Sequence, residues 1–264
     1  MVGGLLPWFA LVALVICTAA SLRFYLPLAR AVFARHEGLV GTGWVRWPDA
    51  AVAFVLCVWF AMLGREALAE SGARVVEFRH VVGSAMTYAS VVTLIVGALV
   101  YRNESLALVF GWSSGGFAST LGRALLCLLA AYPLLTLVQS MVYRSSGGNV
   151  TPQDVVEFLR NAQAPRDRSA ILLMAVVIAP LSEEIIFRGF LYPVGKRYVG
   201  PFASAVMAAL LFAVLHGHMP SIPALFTLAL CLSLAYEKTG SILVPVLMHS
   251  LFNAISVAGI LLLL

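Results

Sequence analysis

Residues 170–188 read Ala-Ile-Leu-Leu-Met-Ala-Val-Val-Ile-Ala-Pro-Leu-Ser-Glu-Glu-Ile-Ile-Phe-Arg. The apolar stretch up to Leu181 has the character of a membrane helix, yet it runs straight into two carboxylates and a guanidinium. Ionisable groups at bilayer depth cost several kcal/mol, roughly, so they line a polar cavity, pair with one another or carry chemistry. Two later apolar segments carry His216 and His249. Polar interruptions in three successive apolar segments point to one site assembled between helices.

The rest of the chain has the same solvent. Hydrophobic residues make up 61% and charged residues 11%, with a mean hydropathy of +0.97, outside the range of water-soluble domains. The apolar runs are continuous rather than alternating, which excludes a porin-type barrel. Helices remain as the way to satisfy the backbone in lipid. The fold expected is all-α, a polytopic membrane protein of about eight spans at 5–22, 50–64, 81–101, 122–143, 169–190, 199–216, 222–236 and 241–263. Residues 24–35 either lie in the interface or continue the first helix.

The net charge of +5 comes from basic residues scattered through the connections, a pattern of topology and lipid contact rather than of nucleic-acid binding. Cys17, Cys57, Cys127 and Cys231 sit in apolar segments without CxxC spacing and read as small core residues. The stretch Leu5 to Leu22 has no basic residue before it and reads as a retained first helix. The polar linker 144–168, with a short amphipathic helix expected over 153–162, divides a motif-poor part, 1–164, from a motif-rich part, 165–264.

Spacing decides how the polar residues face. Glu184 and Arg188 are i and i+4 in the favourable acid-first order, so they share a helical face, while Glu183 lies about 100° away. Pro180 opens or kinks the helix and leaves the carbonyl of Val176 without its donor. Phe212 and His216 are one turn apart, as are His249 and Asn253. A histidine and an amide aimed the same way from one apolar helix suit an oxyanion hole, and interhelical hydrogen bonding is the competing reading for each. His218, beside Gly217, falls in a short loop, and His36 and His80 lie in linkers without a motif. Tyr192, Lys196 and Arg197 read as interfacial anchors. Together the polar set describes hydrolysis by water: an acid, histidines and oxyanion donors, with no serine or cysteine in a nucleophile motif.

Glu-Glu-x-x-x-Arg at 183–188, Phe-x-x-x-His at 212–216 and His-x-x-x-Asn at 249–253, in that order, resemble the CPBP intramembrane proteases. These include the type II CAAX prenyl endopeptidases and bacteriocin-processing or immunity proteins. The resemblance covers about 165–260 and implies that Glu183 activates water with His216, that His249 and Asn253 hold the oxyanion, and that Glu184 and Arg188 organise the site. No metal is favoured; zinc held by His216, His249 and a glutamate is the alternative, although HExxH spacing is absent. The partners implied are the bilayer and a membrane-associated peptide or protein substrate, CAAX-like or bacteriocin-like, in a bacterial plasma membrane. A proton-coupled transporter would use the same residues as an ion relay, but the spans before 144 hold no matching acid or histidine. A non-catalytic immunity or scaffold protein is the third reading.

Overall fold

A computed structural model describes residues 5–69, 78–112, 116–148, 159 and 164–262, and all regular structure among them is helical. The helix expected over 153–162 falls, apart from Leu159, outside the described residues. The long helices are α1 (Leu5–Ala29), α2 (Trp47–Ala69) and α3 (Phe78–Tyr101). After the single turn α4 (Leu106–Val109) come α5 (Phe117–Ser145), α6 (Pro165–Leu215), α7 (Ile222–Thr239) and α8 (Leu243–Leu262). A π-helical turn, Arg30–Ala34, prolongs α1, so the segment 24–35 continues the first helix.

Seven of these helices are long and apolar enough to cross a membrane, where the sequence predicts eight spans. The difference lies in α6, a run of 51 residues that joins the fifth and sixth expected spans. A straight helix of that length would extend about 75 Å, against a hydrocarbon core of about 30 Å. The run is broken instead at Gly200, where φ is 82° and ψ 165°, a conformation essentially restricted to glycine. Pro201 then starts the second arm, 201–215, with its fixed φ and no N–H to satisfy. Ser204 stitches the arms together by donating to the carbonyl of Tyr192 at 2.8 Å.

Helix α7 forms the middle of the bundle. Half of its most apolar window is buried, against 11–33% for the other spans. The packed core ignores the linker that divides the sequence: Val40, Leu56, Phe60, Leu99 and Phe110 join Ile186, Phe187, Phe212, Ala229 and Val246 in one cluster. Outward-facing residues such as Trp8, Phe54, Leu129 and Phe202 are large and apolar, as helices facing lipid require.

A buried ion pair fixes one end of this bundle. Glu237, at the end of α7, accepts hydrogen bonds from Tyr192 at 2.6 Å, from Lys196, and from the N–H of Val40 at 3.0 Å. The N–H of Leu39 donates to the Glu237 carbonyl, and Lys196 also reaches the Val40 carbonyl at 2.8 Å. The connection between α1 and α2 is therefore clamped to α7. Two of the three expected interfacial anchors are corrected by this arrangement, because Tyr192 is fully buried and Lys196 neutralises an interior carboxylate. Only Arg197 is exposed, donating to the Thr42 carbonyl at 3.3 Å.

Candidate active site

The acid pair sits on a short α-helical segment of α6, Ala179–Glu184, between two π-helical stretches, Met174–Ile178 and Ile185–Leu191. Such widened turns interrupt the i→i+4 ladder and recur at functional sites. The first one accommodates Pro180. With the Ala179 N–H bonded five residues back to Met174, the next carbonyl in that register is Ala175, and Pro180 has no N–H to give it. The orphaned group is thus Ala175, not Val176 as α-helical counting predicts.

Beyond the pair, Arg188 is 1% exposed and Glu184 fully buried. Arg188 donates to Glu184 Oε1 and to the Ala229 carbonyl of α7, each at 3.0 Å. Its guanidinium lies 4.9 Å from the centre of the Phe212 ring. Gly189 lets Phe110 close on the same helix, since a Cβ there would stand 2.7 Å from that ring. The expected Glu184–Arg188 pair is present, held from three sides.

His249, on α8, is 2% exposed and lies between the two carboxylates. Its Nδ1 is 2.9 Å from Glu184 Oε1 and its Nε2 is 3.9 Å from Glu183 Oε2. Nδ1 donates to Glu184 Oε1, the oxygen that also accepts from Arg188, and Nε2 is turned toward Glu183. The remaining oxygen of Glu183, Oε1, accepts a hydrogen bond from the Tyr88 hydroxyl of α3 at 2.5 Å.

His216 and Asn253 each bond a backbone carbonyl of α6. His216 is exposed at the end of α6, where its own N–H turns to Ala213 and its Nδ1 caps the Phe212 carbonyl at 2.8 Å. A carbonyl only accepts, so Nδ1 carries the hydrogen of this contact. No hydrogen bond or ion pair joins His216 to Glu183; the Phe212 ring packs against both histidines, 4.8 Å from His216 and 5.6 Å from His249. Asn253 donates to the orphaned Ala175 carbonyl at 2.8 Å, which commits one of its two amide hydrogens to holding α8 on α6.

His218 is buried and paired with Ser221 at 2.7 Å. Tyr88 and Glu237 escape sequence reasoning. Each left one signal, Tyr88 as a hydroxyl in the interior of an apolar helix and Glu237 as an acid closing one. Among the described residues no group of three or more His, Cys, Asp or Glu is placed to hold a metal ion.

Residues 165–255 match the family model described as Type II CAAX prenyl endopeptidase Rce1-like. Among curated proteins, the chain is 26% identical over 152 residues to the membrane-embedded CAAX protease MroQ of Staphylococcus aureus (strain USA300), covering 55% of this chain and 56% of that protein. It is 35% identical over 83 residues to an uncharacterised 24.3 kDa protein of Escherichia coli, covering 30% of this chain and 38% of that one. The chain thus spans about half the length, or less, of these relatives. No solved structure matches it. The matched segment carries all three motifs, and over it the chain is similar to the type II CAAX prenyl endopeptidases. It is an integral, multi-pass membrane protein, and its bacterial relatives point to the plasma membrane.

Proposed function

We propose that the chain is an intramembrane endopeptidase that hydrolyses a peptide bond with a water molecule activated by Glu183. The observation that carries this reading is the grip of two adjacent carboxylates on one histidine, with Glu184 on Nδ1 and Glu183 facing Nε2 at 3.9 Å. That separation exceeds a hydrogen bond, but one water lying off the line can be about 2.8 Å from both atoms. With His249 neutral and its hydrogen on Nδ1, both are acceptors, so the water would give them its two hydrogens and keep a lone pair for attack.

In the reaction, Glu183 takes a proton as the water oxygen bonds to the scissile carbonyl carbon, and the carbonyl oxygen gains the negative charge. The second amide hydrogen of Asn253 is the candidate to meet that charge. Collapse breaks the carbon–nitrogen bond, and Glu183 returns its proton to the leaving amine. Glu184 and Arg188 keep His249 in the tautomer that this scheme needs. No step calls on a metal.

The substrate class follows from likeness. The matched family is described by prenyl CAAX cleavage, and the Staphylococcus relative is named a CAAX protease. A membrane-associated peptide cut near the bilayer is the corresponding proposal, with CAAX-like and bacteriocin-like segments as the first to try. Comparison of membrane peptidomes from cells carrying wild-type protein and Glu183→Gln tests activity and substrate together. A peptide that accumulates uncut only with the variant supports the reading, and identical peptidomes overturn it.

A further inference from the structure

Tyr88 stands on α3, outside the segment that matches the family, yet its hydroxyl donates directly to Glu183. A tyrosine in an apolar helix needs a partner for its polar end, because lipid offers none. Here that partner is the carboxylate with which the peptidase reading begins. We propose that Tyr88 is the positioning residue for Glu183, so that α3 completes the site carried by α6 and α8. This rests on the proposed hydrolytic role of Glu183.

The physical case is one of rotation and charge. A glutamate's last torsion is broad and nearly twofold, so a carboxylate held at one end only by its own chain exchanges its oxygens freely. Tyr88 fastens Oε1, and the other oxygen, Oε2, then faces His249 Nε2. A phenol can only donate to an ionised carboxylate, so it also favours the proton-accepting form. The carboxylate has few other supports: Arg188 and His249 Nδ1 are both committed to Glu184.

The test uses the full chain in lipid nanodiscs and a fluorogenic membrane peptide. Tyr88→Phe keeps the ring and its packing, and is expected to lower kcat about 10- to 100-fold with KM within about twofold. Tyr25→Phe is the matched control, since Tyr25 donates to the Cys127 carbonyl away from the site, and should change neither constant. An unchanged kcat in Tyr88→Phe, or a change confined to KM, overturns the positioning role. A second measurement is independent of turnover: 3-fluorotyrosine at position 88 should show a fluorine resonance that moves on Glu183→Gln, and a resonance that stays put overturns the contact. If the wild-type chain cleaves no peptide, the peptidase reading fails, and the fluorine shift decides the Tyr88 pairing alone.

Discussion

Asn253 donates to the carbonyl of Ala175 at 2.8 Å, supplying from α8 the hydrogen that Pro180 cannot give within α6. A residue read from its spacing as an oxyanion donor is thus also a splice across a break in the helix ladder. Asn253→Ala should therefore lose stability as well as turnover, by about 1–3 kcal/mol for the unsatisfied carbonyl. Pro180→Ala restores an N–H to α6, so the loss should shrink in the double variant. Thermal unfolding of the four proteins in detergent measures this, and losses that simply add would refute the splice.

Glu183→Gln retains the shape of the side chain and a hydrogen-bonding oxygen but removes the proton acceptor. Hydrolysis of a fluorogenic membrane peptide should become nearly undetectable while folding is preserved. Chelation of the wild-type protein should leave its rate unchanged; loss on chelation and recovery with added zinc would move water activation to a metal.

Arg188→Ala would leave Glu184 buried without its cation, at a cost of about 3–5 kcal/mol. Arg188→Lys is informative beside it, since a point charge can neutralise Glu184 but cannot fork to both Glu184 and the Ala229 carbonyl. The expected order of melting temperature is wild type, lysine, alanine. Equal melting temperatures for all three would remove the pair from the architecture of the site.

Gly200→Ala places a side chain at φ 82°, ψ 165° and should cost about 1–3 kcal/mol through backbone strain alone, because nothing lies within 4 Å of the added Cβ. A melting temperature equal to that of the wild type would mean the arms of α6 meet in another way.

The parts of this site that were legible in the sequence are those that local geometry determines. Glu184 and Arg188 pair because four residues make one turn, and apolar composition alone calls for helices in lipid. What escaped depends on neighbours distant in sequence. Widened turns on either side of the acid pair have no sequence signal except Pro180, because the choice between i+4 and i+5 bonding follows what packs against the helix. Motif order places His249 in the site but does not tell that Glu183, not His216, faces its Nε2. Gly200-Pro201 marks a break, yet helical character on both sides joins two expected spans into one run. Tyr88 was passed over because a lone hydroxyl among apolar residues names no partner.

The clamp at Glu237 has a bearing on how the molecule is made. Val40 and the carboxylate that receives its N–H are separated by 197 positions in the chain. At a synthesis rate of about 5–20 residues per second, that interval corresponds to roughly 10–40 s. For that time the connection after α1 has left the ribosome while the acid that seats it has yet to be translated. Closure of that connection is accordingly a late event in biogenesis, and its protection from protease in ribosome-bound chains of increasing length should appear only once α7 has been released from the exit tunnel.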